Sequence, residues 1–248
     1  MKFFKRYKIC LHLANFIVLY KYKEGYMATE KKSAYFRGVA RENLKGNWGT
    51  AIVVCLVIGA ITSLVGVVPF AGTLISLIIA GPLTVAEIRY FSALHKKQKG
   101  TVGTAFTDFG KDFSGNVGTY VLESIYAFLW TLLLIIPGII KSYSYAMSMF
   151  LKSKNPNMKS NDAITLSRKI MDGKKAKLFW LDLSFIGWII LCVLTLFIGF
   201  IFLAPYMSAA RIAFYEEALA DYQEKNGNVV EEEEAKPVVD ADNQIEVE

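Results

Sequence analysis

The sequence predicts an all-α integral membrane bundle: about six membrane segments in three hairpins, four to six of them full spans, with amphipathic helices on the cytoplasmic side. Three observations predict it. Apolar residues make up 54% of the 248, and the mean hydropathy is +0.34, a balance that soluble domains of this size seldom show. Apolar runs of about 20 residues, the length that crosses a hydrocarbon core of ~30 Å, recur in pairs. Lysines and arginines lie between the pairs and never within their turns.

The first pair is Trp48–Val68, with 21 residues, and Thr73–Leu94, with 22, joined by the breaker Pro69-Phe70-Ala71-Gly72. Thr119–Ile136 follows and runs into the turn Pro137-Gly138, after which a shorter segment continues to Lys152. At ~1.5 Å per residue that fourth segment is short for a full span, so Pro137 either starts a half-span or kinks one long helix. Leu181–Ile198 and Phe200–Leu219, divided near Gly199, complete the set.

Orientation follows from the bias of basic residues toward the cytoplasm. Lys31, Lys32, Arg37, Arg41 and Lys45 precede the first span, Lys96, Lys97, Lys99 and Lys111 separate the first two pairs, and eight lysines and arginines precede the last pair. All these connections therefore belong on one side. The chain is expected in the plasma membrane, multi-pass, with both ends in the cytoplasm. Four regions result: 1–26, an upstream extension or mis-assigned start; 27–47, a cytoplasmic amphipathic segment; 48–220, the membrane domain; and 221–248, a disordered acidic tail. Their formal charges are +5 for 1–26, +9 for 27–220 and −8 for 221–248. Translation is expected to begin at Met27, because Lys23-Glu24-Gly25 is encodable by a purine-rich ribosome-binding stretch and no signal-peptide cleavage pattern follows Ile9–Tyr20.

Ser33–Lys45 places Phe36, Ala40 and Leu44 on one helical face; Phe106, Phe109 and Phe113 repeat at helical spacing. Asn161 is placed to cap a helix aligning Ala163, Leu166 and Ile170. These segments are expected in the headgroup plane, with Lys169, Lys174, Lys175 and Lys177 on lipid phosphate. The partner implied is a bilayer with an anionic cytoplasmic leaflet, with a membrane-protein partner or a second copy as the protein contact. The basic residues flank apolar runs instead of forming one patch, so nucleic acid is not an expected partner.

The pairs also read as a diverged repeat. Gly81-Pro82 with Glu87, Arg89 and Tyr90-Phe91 parallels Ala204-Pro205 with Arg211 and Phe214-Tyr215, and Pro137 with Lys141 and Tyr143 is a looser third copy.

No phosphate-cradling loop, His-Glu-x-x-His, Cys-x-x-Cys or Gly-x-Ser-x-Gly occurs. Three cysteines and two isolated histidines make no metal spacing, so no catalytic, cofactor or metal residue is assigned and no enzyme is expected. Ionisable residues at membrane depth remain. Glu87, Glu123 and Arg211 lie at comparable heights, ~6–12 Å in from their cytoplasmic ends at ~1.5 Å per residue, and are expected to form one polar cluster in which a glutamate pairs with Arg211. Lys141 is expected to snorkel outward, Asp182 to be merely interfacial, and Ser142, Ser144 and Ser148 to serve close helix packing. A non-enzymatic scaffold or assembly factor acting at the cytoplasmic face is the first functional expectation; a small-solute transporter or ion pathway is the alternative. A cavity bounded by Glu87, Glu123 and Arg211 would favour transport, and a dry packed bundle the scaffold.

Arg41-Glu42-Asn43-Leu44-Lys45-Gly46-Asn47-Trp48-Gly49, Ile136 to Tyr145, Asn155-Pro156, Ala163 to Arg168 with Gly173, Ser184 to Trp188 and Ala213-Phe214-Tyr215-Glu216 occur in that order. Together they resemble the DUF975 family of multi-pass membrane proteins of Gram-positive bacteria, over roughly residues 33–220. The resemblance implies a bacterial inner-membrane location and no catalytic role.

Overall fold

The structure is a computed structural model that describes residues 32–66, 71–98, 100–107, 109–133 and 135–227. The proposed start at Met27 and the acidic run Glu231–Glu234 lie outside them. Every regular element among the described residues is helical: α1 (Ser33–Leu44), α2 (Trp48–Gly66), α3 (Ala71–His95), α4 (Val102–Phe106), α5 (Phe113–Leu133), α6 (Ile135–Tyr145), α7 (Ser148–Lys154), α8 (Ser160–Ile170), α9 (Lys175–Leu183), α10 (Ile186–Leu194) and α11 (Phe200–Asn226).

Among the described residues three stretches are long and apolar enough to cross a membrane: Trp48–Val65, Ile75–His95 and Lys175–Leu194. The remaining long helices fall short for a chemical reason. Asn116 and Glu123 interrupt α5, while Arg211, Glu216 and Glu217 interrupt α11. The six expected segments thus all meet helix, but among the described residues only three, which still carry charges such as Glu87 and Asp182, are apolar enough over such a length. The fourth segment divides into α6 and α7, with Pro137 in the first turn of α6, where its missing N–H costs little. The fifth divides at Ser184-Phe185. Between α10 and α11 the chain reverses at Leu196 and Phe197, whose φ values are 51° and 68°, rather than at Gly199.

Packing is uneven along the bundle. Phe36, Leu44, Tyr90, Phe91, Phe150, Phe185 and Phe214 are fully enclosed near the lysine-bearing end. At the opposite end Leu64, Leu132, Ile135, Ile136, Leu194, Leu196 and Phe197 are exposed. Only 11% of the Trp48–Val65 stretch is buried inside the protein. A helix apolar all round and so little buried matches lipid, not water, as its surroundings. Helix α3 is central, packing on α2, α5, α7 and α11.

The amphipathic segments do not lie free for the headgroup plane. Phe36, Ala40 and Leu44 of α1 are buried, because α11 covers that face and Phe214 meets Phe36 edge to face at 5.4 Å. The helix stops where Gly46 adopts φ +84°, a conformation that glycine enters without a Cβ clash. Helix α8 buries Ala163, Ile164, Ser167 and Ile170 against α5 and α7, and Leu166 is only partly covered. Its N-cap is Lys159, without a side-chain capping bond, so Asn161 sits inside the first turn. In the middle segment only Val102–Phe106 is regular helix, and the rings of Phe106, Phe109 and Phe113 follow one another at 5.8 and 6.3 Å.

Close approach of α3 and α5 depends on Gly81. A Cβ there would meet the Asn116 carbonyl oxygen at 2.5 Å and its carbon at 2.9 Å, and backbone cannot swing aside. Gly81→Ala is therefore expected to cost about 1–3 kcal/mol through overpacking, read as a lower unfolding temperature in detergent. Gly59→Ala, where nothing lies within 4 Å, should stay within about 0.5 kcal/mol of wild type.

A polar cavity between the proline-bearing helices

Pro82 lies inside α3 and Pro205 inside α11. Each removes one backbone hydrogen bond from its helix, and nearby hydroxyls and neighbouring helices re-satisfy such gaps in membrane bundles. Thr84 Oγ1 donates to the Ala80 carbonyl at 2.8 Å, two residues on from the Ile78 carbonyl that Pro82 leaves without its N–H. Next to these breaks the helices frame a half-open cavity of about 580 Å³. Glu87 reaches it from α3, Tyr120 and Glu123 from α5, Ser142 and Tyr143 from α6, Asp182 from α9, and Ser208 and Arg211 from α11. Ile88, Met149 and Ile212 supply part of its apolar wall.

Residues that follow each of Pro82, Pro137 and Pro205 line this cavity. Glu87 stands five residues after Pro82, Ser142 and Tyr143 five and six after Pro137, and Arg211 six after Pro205.

The charges are not paired as the sequence leads one to expect. Arg211 Nε donates to Asp182 Oδ1 at 2.9 Å, and Tyr143 Oη donates to Asp182 Oδ2 at 3.1 Å. Asp182 is thus the arginine's partner and part of the cavity wall, not an incidental interfacial residue. The two glutamates are each held by a serine hydroxyl instead. Ser208 Oγ donates to Glu87 Oε1 at 2.5 Å, bridging α11 to α3. Ser148 Oγ donates to Glu123 Oε2 at 2.5 Å, bridging α7 to α5. Ser148 therefore has a specific acceptor beyond close packing, whereas Ser142 and Ser144 bond back to carbonyls of their own helix. Lys141 stays apart, with Nζ 4.5 Å from the centre of the Trp130 ring.

The lysines assigned to lipid phosphate are mostly engaged within the chain. Lys174 Nζ donates to Asp221 Oδ2 at 3.1 Å and to the Ala218 carbonyl at 2.9 Å. Burial pulls its ammonium below the ordinary lysine value, and Asp221 opposes that shift. Lys177 pairs with Glu217 at 3.4 Å and Lys175 with Asp172 at 3.8 Å. Of the four, Lys169 is the one with an exposed side chain. Lys154 joins Glu216 at 2.9 Å, so α7 and the loop after α8 are tied to the acidic last turns of α11. Periodicity alone would not find these ties, although the run Glu216-Glu217 to Asp221 opposite a lysine-rich loop is a signal for them.

Among the described residues no group of three histidine, cysteine, aspartate or glutamate side chains is placed to hold a metal ion. Cys55 and Cys192 are free thiols.

No curated protein and no solved structure matches the chain. Glu87 and Glu123 come from the part of the chain before residue 131, as does the Arg41–Gly49 motif; Tyr143, Asp182, Ser208 and Arg211 come from the part after it. That second part, residues 131–221, matches the family described as a protein of unknown function (DUF975), the one that the sequence motifs resemble.

Proposed function

We propose that the chain is a multi-pass plasma-membrane protein, with both termini cytoplasmic, that binds a small solute in this cavity and passes it across the membrane. The observation that carries the reading is the cavity itself, bounded by Glu87, Glu123 and Arg211. A volume of about 580 Å³ falls in the range of small-molecule sites, ~300–1,000 Å³. Helices broken by proline around a polar site are also a recurring device of transporters. The scaffold alternative needs apolar faces free to receive a partner at the cytoplasmic side. The buried face of α1 is already occupied by α11 and is not free for such a partner.

Topology is tested by reporter fusions. Fusions after Lys97, after Lys159 and at the C-terminus should report cytoplasm, and fusions at Gly72 and Gly199 the exterior. A cytoplasmic signal at Gly72 would overturn the three-hairpin arrangement, because uncharged turns belong opposite the lysine loops.

The cavity is tested by thiol labelling. Ser142 lines it and is exposed. With Cys10, Cys55 and Cys192 replaced by alanine, Ser142→Cys should react with a membrane-impermeant maleimide applied to inverted vesicles. A folded variant that resists the reagent from either face would mean a cavity closed to water, and the solute-site reading would fall.

A further inference from the structure

The cavity's chemistry is specific enough to name a class of ligand. Asp182 and Arg211 neutralise each other at 2.9 Å, and the second oxygen of Asp182 is taken by Tyr143. That leaves Glu87 and Glu123 as the cavity's uncompensated acids. Each has one oxygen engaged by a serine, and no other hydrogen bond from the described residues reaches either carboxylate. At membrane depth a carboxylate without a counter-charge is costly, and the cost is relieved by a cation. Among the described residues no group of three histidine, cysteine, aspartate or glutamate side chains is placed to hold a metal ion, and the space is far larger than a bare ion needs. Tyr120 and Tyr143 add aromatic side chains to the lining, and aromatic rings attract organic cations through their quadrupole.

The geometry points to an organic ammonium ligand, a small amine with an apolar body, held by Glu87 and Glu123 as counter-charges and hydrogen-bond acceptors and by the aromatic wall around its body. The inference rests on the reading of the cavity as a solute site, and deepens it. The Asp182–Arg211 pair then acts as a neutral wall that fixes α9 to α11, and the charge preference comes from the α3 and α5 glutamates.

Three probes of matched shape separate the possibilities on purified full-length protein in mild detergent: 2-phenylethylamine, 2-phenylethanol and phenylacetate. The readouts are the unfolding temperature and the rate at which Ser142→Cys reacts with maleimide. The amine is expected to raise the unfolding temperature and slow labelling, while the alcohol and the acid do neither. Glu87→Gln and Glu123→Gln, each eluting as the folded protein, should weaken the amine about tenfold or more, the scale of a lost charged hydrogen bond. Protection by phenylacetate that Arg211→Gln abolishes would make the cavity an anion site, overturning the amine and leaving the solute-site reading intact. Equal protection by amine and alcohol, unchanged in the glutamine variants, would remove the carboxylates as counter-charges and overturn the inference. So would labelling that none of the three slows, although the water-filled cavity would stand. A cysteine that neither reacts nor responds would take down both readings together.

Discussion

Replacing Lys152 with methionine is expected to destabilise the protein by about 3–5 kcal/mol, the cost of removing one partner from a buried ion pair. Lys152 is 3% exposed and forms a close ion pair with Asp112, itself only 27% exposed. Its ammonium also donates to the Pro156 carbonyl at 2.6 Å and to the Met158 carbonyl, so all three protons have acceptors. Asp112 in turn caps α5, its Oδ1 accepting from the Gly115 N–H at 3.2 Å. One ammonium therefore ties the end of α7, the loop after it and the start of α5 together. Methionine matches the stem in volume and removes only the charge and donors. Adding Asp112→Asn should recover part of the loss. Asparagine keeps the cap and tolerates the φ of 50° at this position, and it leaves no buried charge behind. Recovery should stay incomplete, because two carbonyls still lack their donor. Chemical or thermal unfolding in detergent of the two singles and the double measures this. A Lys152→Met protein as stable as wild type would mean that the ammonium is not buried.

Lys152 also shows where sequence reading stops. In the chain it is one of eight basic residues before the last pair, and the positive-inside rule counts them alike. The rule locates a loop but cannot distinguish a buried structural lysine from the exposed Lys169. The distinction depends on Asp112, 40 residues away in the chain, and nothing local marks that pairing. The apolar runs are different. Their lengths and breakers are local properties, so α2 and α3 begin and end within a few residues of where the sequence predicts. The amphipathic faces of α1 and α8 were legible as faces, yet what covers them was not. A face of Phe36, Ala40 and Leu44 suits lipid and the side of α11 equally, and only the fold decides. Glu87, Glu123 and Arg211 were legible as one level in the membrane, and all three are among the residues that line the cavity. Depth alone set their common height. The partner of Arg211 was misjudged because Asp182 sits beside lysines in the chain and was counted as interfacial. In space α9 turns it toward α11, where Arg211 reaches it.

Arg211→Leu is the variant that separates the observed pairing from the expected one. It should lower stability by about 1–3 kcal/mol, less than for a fully enclosed pair, because 45% of the arginine side chain is accessible. The loss arises mostly from Asp182, which is 18% exposed and would keep its Tyr143 bond but lose its only cationic partner among the described residues. If Asp182 is the true partner, adding Asp182→Asn should return most of the stability. Both charges are then gone, and the asparagine carbonyl can still accept from Tyr143. Adding Glu87→Gln or Glu123→Gln instead should return none of it, since those carboxylates are held by Ser208 and Ser148 and do not depend on the arginine. Unfolding temperatures of the single and the three doubles, in the same detergent, decide the matter. Rescue by Glu87→Gln or Glu123→Gln and not by Asp182→Asn would restore the glutamate–arginine pair. It would also remove the neutral Asp182–Arg211 wall on which the charge of the cavity, and hence the preference for an ammonium ligand, depends.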